Sequence, residues 1–223
     1  EFIDHVWKWK DSSGNKIINQ LKRLGCSCDW SRERFTLDEG LSQSVRHVFV
    51  KLYKDGLVYK DKRLSNWDPK LKTTISDLEV IQKEVTGTLW YINYEIENVD
   101  GHITIATTRP ETMLGDTAIA VHPEDKRFTD MIGKHAILPI VKKRIPIVAD
   151  EYVKMDQGSG AVKITPAHDF NDYELGKRHK LEIINIFNEN AELNENCPQE
   201  YQGLDRYTAR EKIISELKEK GVL

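Results

Sequence analysis

The alternating run Trp90-Tyr91-Ile92-Asn93-Tyr94-Glu95-Ile96, together with the residues that follow it, decides the fold of this chain. Trp90, Ile92, Tyr94 and Ile96 fall on one side of an extended chain, which is the two-residue period of a half-buried strand. Asp100-Gly101 then supplies a tight turn, because glycine accepts positive φ at low cost. A return run through Ile103, Ile105 and Thr107 follows, so the pattern predicts a β-hairpin in the middle of the chain.

Several further short runs of β-forming residues lie on the C-terminal side of this hairpin. They cover residues 117–121, 136–141, 144–148, 160–165 and 182–187. One short helical segment is predicted near residues 172–179. Short strands at irregular spacing, with few helices among them, indicate a barrel-like β core.

The two ends of the chain carry helical patterns instead. Thr36-Leu37-Asp38-Glu39 has the form of a capping box with Thr36 at the N-cap, and an apolar stripe at helical spacing follows it. Thr208-Ala209-Arg210-Glu211 predicts a second capping box before the last helix, and residues 63–76 are predicted to form a connection. The fold class is therefore α+β, with a barrel-like β core flanked by helical arms.

Composition restricts the classes of function. No apolar run approaches the roughly 18–20 residues that span a bilayer, so no membrane association is expected. Cys26, Cys28 and Cys197 are too few for a disulfide framework and favour a reducing, cytoplasmic compartment. No cysteine pair matches the Cys26-x-Cys28 pair, so no metal site is predicted. The net charge of −3 requires any contact with RNA to be local.

The first segment that could carry chemistry is Thr107-Thr108-Arg109-Pro110-Glu111-Thr112, followed by Gly115-Asp116. A strand that ends in hydroxyl groups and a guanidinium and is then broken by proline places polar groups on a rim and not in a core. The planar guanidinium of Arg109 suits a phosphate or a carboxylate. Taken alone, the segment is better explained as a surface loop with a solvated arginine than as a binding site.

The second such segment runs from Gly158 to Tyr173. In a strand over residues 160–165, Lys163 and Thr165 share one face and point into the same space. Asp169 and Asp172 lie three positions apart at a predicted helix start, where one of them could serve only as a cap. His168 is of the type used for general-base catalysis, yet a lone histidine in such a turn often bonds only the backbone. No nucleophile can be assigned from these spacings.

These motifs together resemble the editing (connective polypeptide 1) domain of class I aminoacyl-tRNA synthetases. The first segment is similar to their threonine-rich peptide. The second segment is similar to the second motif of the valyl form. Its matching residues in this chain are Gly158-Ser159-Gly160-Ala161-Val162-Lys163-Ile164-Thr165-Pro166-Ala167-His168-Asp169 and Asp172-Tyr173-Glu174. Asn66-Trp67-Asp68-Pro69 and Gly203-Leu204-Asp205-Arg206 are similar to the valyl form as well. The resemblance covers almost the whole chain.

The resemblance implies a hydrolase domain of a valyl-tRNA synthetase that cleaves threonine from mischarged tRNA(Val). It implies catalytic roles for Lys163, Asp172 and Arg109. Its substrate-binding residues would be Thr107, Thr108, Asp116, Thr165, His168 and Asp169. Residues 1–79 would be a helical connecting segment from the synthetase body, 80–206 the editing domain, and 207–223 a helix returning to the body.

The same resemblance sets the expected partners and cofactors. The partners would be the 3′ end of tRNA(Val) carrying threonine and the rest of the synthetase chain, and a monomer is expected. Editing would need no cofactor, whereas ATP and Mg²⁺ would serve the parent enzyme's aminoacylation site, whose signature sequences are absent here. The chain also begins without Met, which predicts a fragment. Two alternatives stay open: a catalytically silent tRNA-docking or spacer module, and editing of the leucyl or isoleucyl type.

Overall fold

The computed structural model describes residues 1–223 and divides into two compact units, Glu1–Asp61 and Lys62–Leu223. No helix in it is both long and apolar enough to cross a bilayer. The division of the chain at residues 79 and 206 stays a prediction. The helix that begins at Arg206 contributes buried side chains to the core of the second unit.

The first unit is helical. It contains α1 (Phe2–Ser13), α2 (Asn15–Arg23) and α3 (Glu39–Lys54). The predicted cap of α3 is wrong, because the N-cap is Asp38, whose Oδ1 accepts from the backbone N–H of Leu41 at 2.8 Å. Asp38 stands directly before the first helical residue, and the side chain of Arg34 holds its carboxylate from the other side. Asp is as effective an N-cap as Thr, so position decides between them.

The second unit is built around a six-stranded sheet. A two-stranded hairpin of β1 (Asn66–Asp68) and β2 (Thr73–Ile75) precedes it, where we predicted only a connection. The strands of the sheet are β3 (Trp90–Ile96), β4 (His102–Thr107), β5 (Ala118–Val121), β6 (His135–Ile137), β7 (Arg144–Ala149) and β8 (Ala161–Ile164). Their order is β4-β3-β6-β7-β5-β8, and every pairing is antiparallel except that of β5 with β7.

The edges of this sheet, β4 and β8, come to lie side by side, so the sheet is a nearly closed barrel. The predicted hairpin forms as β3 and β4, with Ile92 opposite Ile105. Ile92, Tyr94 and Ile96 face inward and are buried, as their alternation predicts. The predicted α+β class with a barrel-like core is confirmed.

Helices and irregular segments complete the second unit. The helices are α4 (Phe170–Arg178) and α5 (Arg206–Glu219). The N-cap of α5 is Asp205 and not the predicted Thr208. The strand predicted at 182–187 is absent, since only an isolated bridge forms there. Its backbone has other partners: the N–H of Ile186 donates to the ring of His168, and its carbonyl accepts from Asn194.

Candidate functional site

A cleft of about 540 Å³ opens where β4 and β8 meet. The segment that follows β4 forms one side, and the start of α4 and the loop before β8 form the others. Eight of the nine predicted site residues line it: Thr107, Thr108, Arg109, Lys163, Thr165, His168, Asp169 and Asp172. The ninth, Asp116, does not. The barrel therefore brings together two segments that are about fifty residues apart in sequence.

Arg109 joins the two sides of the cleft. Its Nη1 donates to the backbone carbonyl oxygen of His168 at 2.7 Å. The side chain is about half exposed, so it keeps other N–H groups free toward the opening. Thr107 fixes the local backbone, because its hydroxyl accepts from the N–H of Arg109 at 3.0 Å. The short 3₁₀ segment Pro110–Gly115 begins directly after this turn.

Lys163 lies in β8 within a buried polar cluster. Its Nζ donates to Thr112 Oγ1 at 2.8 Å, to Asp116 Oδ1 at 2.9 Å and to Thr165 Oγ1 at 2.5 Å. An ammonium group has three donors, so all of them are used. The hydroxyl of Thr165 in turn donates to Asp116 at 2.7 Å. Lys163 and Thr165 share one face of the strand, as the two-residue period predicts, and the cluster is rigid because its groups are bonded to each other.

Asp116 lies beneath the cleft surface and not on it. Its carboxylate is fully buried and accepts from Lys163, from Thr165 and, at 2.8 Å, from the hydroxyl of Tyr94. Burial raises the pKa of Asp116, and these three donors oppose that shift. A buried carboxylate requires such a set of partners. The geometry gives Asp116 the task of holding Lys163 in place.

Asp172 carries the carboxylate that faces the cleft. It is buried near the start of α4, and its Oδ2 accepts from the backbone N–H of Thr165 at 2.9 Å. The only hydrogen bond of this carboxylate within the chain is on Oδ2, so Oδ1 is available to a ligand, and Asp172 lines the cleft. Burial raises the pKa of Asp172 to about 6, against the effects of the Thr165 hydrogen bond and the charge of Lys163. A carboxylate whose pKa is shifted by desolvation and that lies in a cleft is a candidate functional group.

Asp169 is the N-cap of α4. Its Oδ1 accepts from the N–H groups of Asn171 at 2.8 Å and Asp172 at 3.2 Å, which leaves Oδ2 without a partner. The residue is exposed and lines the cleft. The capping role and the site position, which the sequence left as alternatives, are therefore compatible. One oxygen orders the helix, and the other is available to a ligand.

His168 is held by backbone groups. Its Nε2 accepts from the N–H of Ile186 at 3.0 Å, and its ring packs edge-on against Phe187. Burial, together with the charges of Arg109 and Lys163, lowers the pKa of His168 to about 3. The ring is therefore neutral near pH 7, and its only unprotonated nitrogen is occupied. This geometry fits a residue that shapes the cleft and does not fit a general base.

Three further residues belong to the site but were not assigned roles from the sequence. Thr112 bonds Lys163, and Tyr94 bonds Asp116. A phenol on the inward face of an apolar strand needs a buried partner, which is a signal that could have identified Tyr94. Tyr152, about half exposed, is the remaining aromatic side chain on the cleft besides His168. No group of three or more His, Cys, Asp or Glu residues is placed to hold a metal ion.

Comparison with known proteins identifies the family of this chain. Residues 1–211 match the family model described as tRNA synthetases class I (I, L, M and V). The chain belongs to the class I tRNA synthetases. A solved structure that aligns with this chain is the ternary complex of Agrobacterium radiobacter K84 agnB2 LeuRS-tRNA-LeuAMS, at 21% identity and a TM-score of 0.49. The alignment covers 96% of this chain and 35% of that one.

Within the class I tRNA synthetases, the chain is similar to valine–tRNA ligases over nearly its whole length. It is 63% identical over 220 residues to the enzyme of Pelagibacter ubique and 59% identical over 222 residues to that of Syntrophotalea carbinolica. These alignments cover 99% and 100% of this chain but 25% of each relative. The chain therefore spans about a quarter of the length of these relatives.

Proposed function

We propose that this chain is the editing module of a valine–tRNA ligase and that it hydrolyses the ester between threonine and tRNA(Val). The observation that carries the proposal is the free Oδ1 of Asp172, which faces a cleft backed by the buried Lys163 cluster. The identity to valine–tRNA ligases over the whole chain supports it. ATP-dependent attachment of valine would belong to the rest of the parent chain.

We infer threonine as the amino acid of the substrate because valine and threonine are too similar in shape for an apolar pocket to separate them well. Threonine and valine have nearly the same size, and threonine carries a hydroxyl where valine has a methyl. An apolar pocket shaped for valine rejects threonine only weakly, because threonine has the same shape and merely adds a hydroxyl. A second, polar pocket is therefore needed. The Lys163 cluster and the free oxygen of Asp169 give this cleft the polar lining that such a pocket requires.

The proposed binding mode assigns one group of the substrate to each free group of the cleft. Asp172 Oδ1 accepts from the α-ammonium of the amino acid. Asp169 Oδ2 accepts from the threonine hydroxyl, with Lys163 and Thr165 forming the polar surface beneath it. Valine has no hydroxyl to donate to the Asp169 oxygen and therefore gains no corresponding hydrogen bond.

The proposed reaction is direct attack by water. The water oxygen forms a bond to the ester carbonyl carbon, the bond from that carbon to the ribose oxygen breaks, and a proton passes to the ribose oxygen. Free threonine and tRNA with its terminal hydroxyl are the products. Arg109 would orient the RNA end and stabilise the negative charge that develops, and Thr108 would help to position the water. Neither a covalent intermediate nor a cofactor is required, and we place the reaction in a cytoplasmic monomer.

The proposal is tested by single-turnover deacylation of threonyl-tRNA(Val). Asp172→Ala should lower the rate by at least about tenfold, the equivalent of one lost charge-assisted hydrogen bond to the α-ammonium. Lys163→Ala should lower the rate by a similar factor, because it disrupts the bonded cluster that forms the polar surface beneath the substrate. Asp156→Ala and Lys126→Ala are matched controls, since both residues are exposed and neither lines the cleft. Near-normal rates in both site variants would refute the assignment.

A panel of mischarged tRNAs separates this proposal from its alternatives. Selective hydrolysis of threonyl-tRNA(Val) by the unmodified chain supports valyl-type editing. Hydrolysis of a mischarged leucine or isoleucine tRNA instead would show leucyl- or isoleucyl-type specificity. Binding of tRNA without hydrolysis of any ester would show a silent docking module.

A further inference from the structure

Glu111 forms a buried ion pair behind the cleft. It lies in the segment Pro110–Gly115, between the cleft residue Arg109 and the cluster residue Thr112, and its side chain is 2% exposed. Arg210 of α5 reaches it with two hydrogen bonds, Nε to Oε2 and Nη2 to Oε1, both 2.7 Å long. This is the fork-to-fork geometry of a strong arginine–carboxylate pair.

Arg109 lies close to the same carboxylate but is bonded elsewhere. Its Nε is 3.8 Å from Glu111 Oε1, whereas its Nη1 donates to His168 at 2.7 Å. Arg109 and Arg210 are the only cationic side chains within 4 Å of Glu111. Two arginines therefore flank one buried carboxylate, and only Arg210 bonds it directly.

We propose that Arg210 is a positioning residue for the cleft: by occupying Glu111, it keeps the guanidinium of Arg109 turned toward the substrate. A buried carboxylate that loses its counter-ion is strongly destabilised, so it recruits the nearest available cation. Without Arg210, that cation is Arg109, which needs to move by only about one ångström to form a hydrogen bond. Arg109 would then release the carbonyl of His168 and withdraw from the cleft. The catalytic effect of this proposal rests on the function proposed above.

Deacylation kinetics test the proposal through a rescue. Arg210→Met should lower kcat/KM for threonyl-tRNA(Val) by about tenfold, the value of one charge-assisted hydrogen bond. Glu111→Gln combined with Arg210→Met should recover to within about threefold of the unmodified chain, because the neutral amide no longer attracts Arg109. Lys218→Met is the matched control, since Lys218 lies on the same helix, is exposed and contacts Trp90 instead of Glu111.

A structural role alone predicts no rescue in the double variant. If Arg210 served only to anchor α5, removing Glu111 as well would leave kcat/KM as low as in the single variant, and this result would overturn the proposal. In an Arg109→Met background, Arg210→Met should cause no further loss of kcat/KM. A full additional loss there would also refute the proposed link between the two arginines.

A second readout does not depend on hydrolysis. The NMR signal of the Arg109 side-chain Nε–H should shift and exchange more slowly with solvent in Arg210→Met, and it should return to its original position in the double variant. An unchanged signal would refute the inference even if the chain is an active deacylase. A shifted signal in a chain that hydrolyses no aminoacyl-tRNA would support the positioning role and remove only the proposed function.

Discussion

Replacing Asp172 with Asn should stabilise the protein while it removes activity. The carboxylate is buried, and its pKa is raised from 3.8 to about 6. An acid with a higher pKa in the folded state binds its proton more tightly there than in the unfolded chain. The folded state therefore loses stability as the pH rises from about 4 through 6, and the loss is complete above that range. Asn carries no charge and avoids this loss.

The magnitude follows from the two pKa values. Each pH unit corresponds to about 1.36 kcal/mol, so the interval from 3.8 to about 6 amounts to about 3 kcal/mol as an upper limit. The amide oxygen of Asn can still accept from the N–H of Thr165, which Asp172 bonds at 2.9 Å. The substitution therefore removes the charge and keeps the hydrogen bond. We expect Asp172→Asn to match the unmodified chain near pH 4 and to exceed its free energy of unfolding by up to about 3 kcal/mol at pH 8.

Urea denaturation at pH 4 and pH 8 measures this difference, with the exposed Asp156→Asn as the control for the loss of a surface charge. In the unmodified chain, kcat/KM for threonyl-tRNA(Val) should fall as the pH is lowered through about 6, because a protonated Asp172 cannot accept from the α-ammonium. A variant that is less stable than the unmodified chain at pH 8, or a stability difference independent of pH, would refute the reasoning.

Two other substitutions test the packing around the cleft. Lys163→Met leaves Asp116 buried without a counter-ion and should lower the free energy of unfolding by about 3–5 kcal/mol at pH 7; adding Asp116→Asn should restore part of it, as urea titrations would show. Gly160→Ala would place a Cβ 2.2 Å from Nη2 of Arg127, which would have to move and give up its hydrogen bond to the carbonyl of Met155. The substitution should therefore cost about 1 kcal/mol more than Gly133→Ala, which has a similar φ and open space, and equal losses in urea titrations would contradict this.

Much of the β core could be predicted because alternation in sequence reports directly on the two faces of a strand. The inward positions Ile92, Tyr94 and Ile96, and the shared face of Lys163 and Thr165, follow from the period alone. The hairpin turn could be predicted from the Asp100-Gly101 pair, because glycine tolerates positive φ, and Gly101 does adopt a φ of +150°. Local patterns identify local geometry.

Other features depend on contacts that no local pattern contains. The segment at 182–187 has strand-forming residues, but His168 and Asn194 take up the backbone groups of Ile186. The burial of Asp116 depends on Tyr94, which is 22 positions away, and on Lys163, which is 47 positions away. Two threonines were predicted as helix caps because both stand in capping boxes, yet an aspartate nearer each helix start takes the role.

The separation in sequence of the bonded groups also has a consequence for how the cleft forms during folding. Lys163 is bonded to partners 47 and 51 positions earlier in the chain, in the segment between β4 and β5. Closing loops of that length is entropically costly, so such contacts form only once the intervening strands are in place. Ligand binding should accordingly return in the final kinetic phase of refolding, after most of the secondary structure has been regained.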